Sequence, residues 1–125
     1  MEKNKDNYNI EERLIDFAVA ITDIIERLPN TRLGNHISGQ LVRSGTSPAP
    51  NYGEAQSAES RKDFIHKMKI ALKELRESLI WLQIIQRKKL INDKNEIQDV
   101  LSECDELIRI FVKSIQTAES NLEKK

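Results

Sequence analysis

Lys62, His66, Lys69, Lys73 and Arg76 recur at steps of 4, 3, 4 and 3, and Arg87 continues the same line further along the chain. At helical spacing such side chains share one face. A row of cations on one face can follow a phosphate backbone, because each Lys or Arg replaces a condensed counterion. No Asp or Glu interrupts the row, but no stacking aromatics are interleaved with it either. A solvated face, or one paired with acidic helices, produces the same pattern. Other chemistry is scarce. His36 and His66 are 30 residues apart, with no Cys or carboxylate partner at ligand spacing. Asp93/Glu96 and Asp99/Glu103 read as capping and solvated helix charges, not as a di-metal site. A phosphate-binding glycine loop and a nucleophile elbow are both missing. No catalytic residue, metal ligand or cofactor is expected.

One spacing stands apart. Arg61 and His66 lie as in Arg-x4-His, which resembles the pattern of HEPN ribonucleases, themselves helical bundles. That resemblance implies a metal-independent ribonuclease in which two subunits place the pair around a scissile phosphate. The HEPN pattern prefers Asn, Asp or His after the Arg, whereas Lys62 stands here. His66 therefore reads first as one more polar residue of the basic row.

The chain that must position these groups has 125 residues, 38% hydrophobic, 32% charged and 5% aromatic, which suits one domain with one core. Four Gly and three Pro are too few for a turn-rich all-β protein. Apolar runs fall short of the roughly 18 residues of a membrane span. MEKNKDNYN lacks the apolar core of a secretory signal, and the single Cys104 excludes an intrachain disulfide. A cytoplasmic protein without membrane contact is expected. Twenty basic and twenty acidic residues cancel overall, but not locally. Residues 60–89 carry nine basic groups against three acidic, while 1–30 carry four against seven and 90–125 five against eight. Either one surface is basic, or basic and acidic helices pack side by side.

Hydropathy gives an all-α protein, an antiparallel up-down-up-down four-helix bundle. In the first helix Ile10, Leu14, Phe17, Ala18, Ile21, Ile24, Ile25 and Leu28 form an apolar stripe, capped by Asn9 with Glu12 and stopped at Pro29. The second starts near Thr31 with Leu33, Ile37 and Leu41 on one face. It then meets Gly45, Pro48, Pro50 and Gly53, which predict one kinked or broken element over roughly 32–57. Ser60 with Asp63 opens the third, whose seam is Phe64, Met68, Ala71, Leu75, Leu79 and Leu82, broadened by Ile65, Leu72 and Ile85. Asp93 with Glu96 caps the fourth, with Ile97, Leu101, Cys104, Ile108, Phe111, Ile115, Ala118 and Leu122 inward. Residues 9–122 make the single domain, and 1–8 a flexible tail. Left outside these seams are Ile15 and Val19 on the first helix, and Ile70, Ile80, Trp81 and Ile84 on the third. That much outward apolar surface predicts an interface between copies of the chain.

Residues 43–85 are similar to the four-helix-bundle family of the 23S rRNA intervening-sequence proteins. The second helix of that family carries small residues and then Asn-x-x-Glu-Gly/Ala, here Ser44-Gly45-Thr46-Ser47 and Asn51-Tyr52-Gly53-Glu54-Ala55. Its third opens with basic residues and Asp-Phe, here Arg61-Lys62-Asp63-Phe64, followed by Ile70-Ala71-Leu72, Glu74, Glu77 and Trp81-Leu82. The resemblance implies a ring-like homopentamer without established enzymatic activity. Its relatives include the accessory protein of diversity-generating retroelements, a basic pentamer that binds nucleic acid and a reverse transcriptase. Asn51 and Glu54 are the matched polar positions, with a structural role in helix packing. Two departures stand out: a second proline where the family usually has at most one, and a neutral net charge. Together these readings give a non-enzymatic homo-oligomeric bundle, a binding or scaffold module. Its partner is a structured RNA or an RNA-handling protein, met at Lys62, Lys69, Lys73, Arg76 and Arg87. A bundle that binds protein alone is the remaining reading.

Overall fold

The structure, a computed structural model, describes residues 9–123. Among them the chain forms helices α1 (Ile10–Arg27), α2 (Arg32–Thr46), α3 (Pro48–Gln56), α4 (Arg61–Lys88) and α5 (Lys94–Glu123), with no strand. The expected four-helix bundle is present, with α2 and α3 together as its bent second arm. The tail expected at residues 1–8 lies outside the described residues.

Local chemistry sets each boundary. Asn9 Oδ1 accepts the Glu11 N–H at 2.8 Å, and Thr31 Oγ1 accepts that of Gly34 at 3.0 Å. Ser60 Oγ and Asp93 Oδ1 do the same for Asp63 and Glu96, each at 3.1 Å. Lys89 closes α4 in the left-handed conformation, φ 57°. The bend of the second arm follows from Pro48 and Pro50, which offer no N–H to the preceding turn. Ser47 between α2 and α3 nevertheless keeps helical angles. Its N–H still reaches the Arg43 carbonyl at 3.1 Å, and the Ser47 carbonyl accepts the Asn51 N–H at 3.2 Å. The Asn51 side chain adds a second donor to that carbonyl at 3.0 Å. Asn51 thus serves the bend itself rather than a contact between helices.

Around the bundle, α1 packs on α2, α3 and α5, while α4 packs on α2, α3 and α5 as well. The helices α1 and α4 are therefore diagonal to one another. The core between them holds Phe17, Ile21, Ile37, Leu41, Leu75 and Phe111, all buried. Three side chains expected inside are not fully there. Leu33 is 39% exposed, because Gly34 takes the buried place, where a Cβ would collide with the Pro29 carbonyl oxygen. On α4 the seam is turned by about one residue, so that Ile65 and Ser78 are buried while Phe64 and Leu79 sit half-buried at the rim. Ser78 Oγ donates to Ser44 Oγ at 2.8 Å, which satisfies two polar groups where α2 and α4 meet.

Gly45, beside Ser44, faces α1. A Cβ there would lie 2.7 Å from Ile21 Cγ2, tighter than any ordinary contact. Gly39, one and a half turns earlier, has nothing within 4 Å. Gly45→Ala is expected to destabilise the fold by about 1–3 kcal/mol through overpacking. Gly39→Ala should stabilise it by about 0.5–1 kcal/mol through helix propensity. Urea unfolding of the two variants checks both signs.

Cys104 is fully buried and its Sγ donates to the Leu75 carbonyl at 3.3 Å. Burial, with Asp105 and Glu103 adding repulsion, pushes its thiol up to about 12. Since the unfolded thiol titrates near 8.5, the neutral native form contributes stability below that pH. The contribution is lost as pH rises through the window from about 8.5 to about 12. The stability advantage of the wild type over Cys104→Ala should accordingly narrow across that window, and native Cys104 should resist iodoacetamide at pH 8.

Candidate nucleic-acid interface

Helix α4 carries the basic row on the face it turns away from the bundle. Lys62, His66, Lys69, Lys73 and Arg76 are all exposed, and so is Arg87. Ile80 and Ile84, 54% and 36% exposed, stand between Arg76 and Arg87 on the same ridge. The cations and part of the apolar set, which the sequence suggests are separate stripes, form one line.

Ion pairs separate engaged cations from idle ones. Arg43 of α2 binds Glu74 at 2.8 Å and also pairs with Glu77, drawing the two carboxylates in the middle of α4 toward α2. Hydrogen bonding to Glu74 raises the Arg43 pKa. Lys67 pairs with Glu54 at 2.6 Å across α3 and α4, and Lys69 with Glu119 of α5 at 3.0 Å. Glu54 is thus the exposed end of an ion pair on the surface, not a buried packing group. On α1, Arg13 is buried against Glu103 at 2.7 Å and Glu106 at 3.3 Å. The Glu103 hydrogen bond is the largest cause of its raised pKa. Among the described residues, Lys62, Lys73, Arg76 and Arg87 have no carboxylate within salt-bridge distance.

Arg61 and His66 do not converge within the chain. Five residues of helix turn them about 140° apart. Arg61 lines an open groove of about 940 Å³, between the α3–α4 turn and the end of α5, that His66 does not touch. His36 sits on α2 with its ring edge-on to Trp81, centroids 5.7 Å apart. No group of three or more potential metal ligands occurs among the described residues.

The six apolar residues expected at an interface are divided by the structure. Ile15 (43% exposed) and Val19 (54%) lie on the outer face of α1, diagonal to the α4 ridge. Ile80 and Ile84 are on that ridge. Ile70 and Trp81 are half-buried instead, and Trp81 leans toward α2 while its Nε1–H donates to Glu77 at 3.2 Å. Val42, 42% exposed on α2, joins this outward apolar set, and the prolines beyond it hide the period of that helix in the sequence.

The family model for 23S rRNA-intervening sequence protein matches residues 6–113. Among solved structures, the chain is similar to a protein of unknown function from the S23 ribosomal protein family of Bacteroides thetaiotaomicron. The two are 33% identical with a TM-score of 0.78, over 86% of this chain and 98% of the other. No curated protein matches. No helix among the described residues is long and apolar enough to cross a membrane.

Trp81, held by His36 and Glu77, belongs to the α2–α4 contact. Trp81→Ala should cost about 1–3 kcal/mol in urea unfolding, less than a fully buried Trp would. Trp81→Phe should recover most of that loss.

Proposed function

The chain belongs to the 23S rRNA-intervening sequence protein family, and we propose that it acts there as a non-enzymatic bundle that assembles with copies of itself and binds structured RNA. The observation that carries the reading is the idle charge on α4. Lys62 and Lys73, with His66 between them, head an exposed ridge, and beside Lys73 the carboxylates of Glu74 and Glu77 are held toward α2 by Arg43. Successive positions are about 4.5–6 Å apart along the axis, a pitch at which a helix can track phosphates. Lys69 can join by exchanging Glu119, an exposed partner, for a phosphate. The binding is electrostatic and reads shape rather than sequence, as suits double-stranded RNA. Ring assembly, a pentamer by the family resemblance, would repeat this short row on every subunit. The cytoplasm, where such RNA is met, suits a chain whose one thiol is buried and reduced.

The test is a titration of a labelled RNA hairpin against the protein at several salt concentrations, with the RNA then run on a denaturing gel. Two or three phosphates per subunit should give a log–log salt slope of about −2 for each subunit engaged. Lys62→Glu with Lys73→Glu should weaken binding roughly tenfold or more while leaving the circular dichroism unchanged. Equal affinity of that variant, or no binding by the wild type, overturns the RNA reading. Metal-independent cleavage lost on His66→Ala would replace it with a ribonuclease.

A further inference from the structure

The outer face of α1 mirrors the C-terminal half of the α4 ridge in spacing and opposes it in charge. On α1, exposed Ile15 and Val19 are bracketed by exposed Glu12 and Asp23. On α4, exposed Ile80 and Ile84 are bracketed by exposed Arg76 and Arg87. In each row the apolar pair is four residues apart and the charged pair eleven, about 16 Å along a helix. None of these four charged side chains has an ion-pair partner among the described residues.

We propose that these two rows are the two halves of one interface, the α1 face of one copy seated on the α4 ridge of the next. The inference rests on the self-assembly part of the reading above and not on RNA binding. A second copy is the occupant that the charges select. Pairing α4 with α4 across a two-fold axis would oppose Arg76 and Arg87 to arginines, and pairing α1 with α1 would oppose carboxylates. Only α1 against α4 brings apolar to apolar and acid to base. Because the rows lie on diagonal helices of one bundle, the contact is heterologous and leaves each copy with one free half. Such a contact propagates until a rotation closes it into a ring. Direction agrees with this. Arg13–Glu103 and Arg27–Glu96 make α1 antiparallel to α5, while Lys69–Glu119 and Gln86–Gln98 make α4 antiparallel to α5. Thus α1 and α4 run parallel, as rotation about an axis along the bundle requires of the two helices it brings together. Glu12 then falls beside Arg76 and Asp23 beside Arg87. Lys62 and Lys73 lie outside the contact and stay available on every copy.

Charge exchange tests the pairing by mass, using light scattering or native mass spectrometry. The wild type is expected to be a closed oligomer. Glu12→Arg with Asp23→Arg should dissociate it, and so should Arg76→Glu with Arg87→Glu, since either leaves like charges facing each other. All four substitutions in one chain restore opposite charges and should restore the wild-type mass. As the positions are exposed, circular dichroism should show every variant folded. An oligomer that survives either half-exchange, or one that dissociates without recovery in the fourfold variant, overturns this pairing but leaves self-assembly standing. A wild type that is monomeric at hundreds of micromolar overturns both. Recovery of hairpin binding along with mass in the fourfold variant would place RNA and the second copy on separate parts of α4, as proposed. Recovery of mass without RNA binding would put the RNA on Arg76 and Arg87, and so overturn that separation.

Discussion

The bundle depends on how closely its second arm approaches the helices on either side of it. Ser44 and Gly45 are adjacent, so they face different neighbours: Gly45 meets Ile21 of α1 and Ser44 meets Ser78 of α4. A larger residue at either place would push α2 outward from one side. The cost of such proximity is usually a stranded polar group, but here the two hydroxyls satisfy each other. Pro48 and Pro50 follow within a turn and bend the arm as it leaves this point. Thr46 and Ser47 side chains donate to the carbonyls of Val42 and Arg43, both at 2.6 Å, in the turn that precedes the prolines. The small-residue run and the prolines are therefore one device, in which close approach and departure are set within seven residues.

That geometry also sorts the charges. With α2 drawn in, Arg43 reaches both Glu74 and Glu77 and holds them on the α2 side of α4. Arg13 and Arg27 hold Glu103, Glu106 and Glu96 on the α1 side of α5. The pairs of Arg27 and Arg43, at exposed positions, are each modest, and only Arg13 is buried. Their collective effect is directional: five carboxylates are withdrawn into the seams between helices. What remains on the outer faces is acid on α1 and base on α4, in a chain whose net charge is zero.

Much of this was legible in the sequence because helical period is a strong signal where helices are long. The inward residues of α1 and α5, the caps at Asn9, Ser60 and Asp93 and the bent second arm all follow from pattern and local chemistry. Leu33 was misplaced because hydropathy cannot show that a glycine, not a leucine, is wanted where backbone meets backbone at Pro29. Ser78 was missed for the related reason that a hydroxyl in a seam looks like an interruption until its partner is known. On α4 the basic row was legible, since it needs only spacing. Ile80 and Ile84 were legible as outward side chains too, but not as a continuation of the basic row, because an apolar pair reads as a break in a line of cations. The sequence also left open whether its segregated charge meant a basic surface or helices paired side by side. The structure contains some of each, with Lys69 paired to α5 and Lys73 idle one turn later.

A protein with acid on one side and base on the diagonal side has a built-in preference about its own copies. On the proposed pairing, face-to-face encounters by two-fold symmetry would be repelled and head-to-tail encounters steered together, so that charge would select orientation before any apolar contact formed. Zero net charge helps, because assembly then accumulates no repulsion as copies are added. The same arrangement limits where a polyanion can bind. A surface that is basic along its whole length would compete with assembly for every phosphate. On the proposed pairing, a ridge whose C-terminal half is occupied by a neighbour would keep its N-terminal lysines for RNA. Binding strength would then come from the number of subunits rather than from the charge of any one, since linked weak sites gain through effective concentration. On this argument neutrality, which counts against nucleic-acid binding in a monomer, is compatible with it in an assembly that repeats one small basic row.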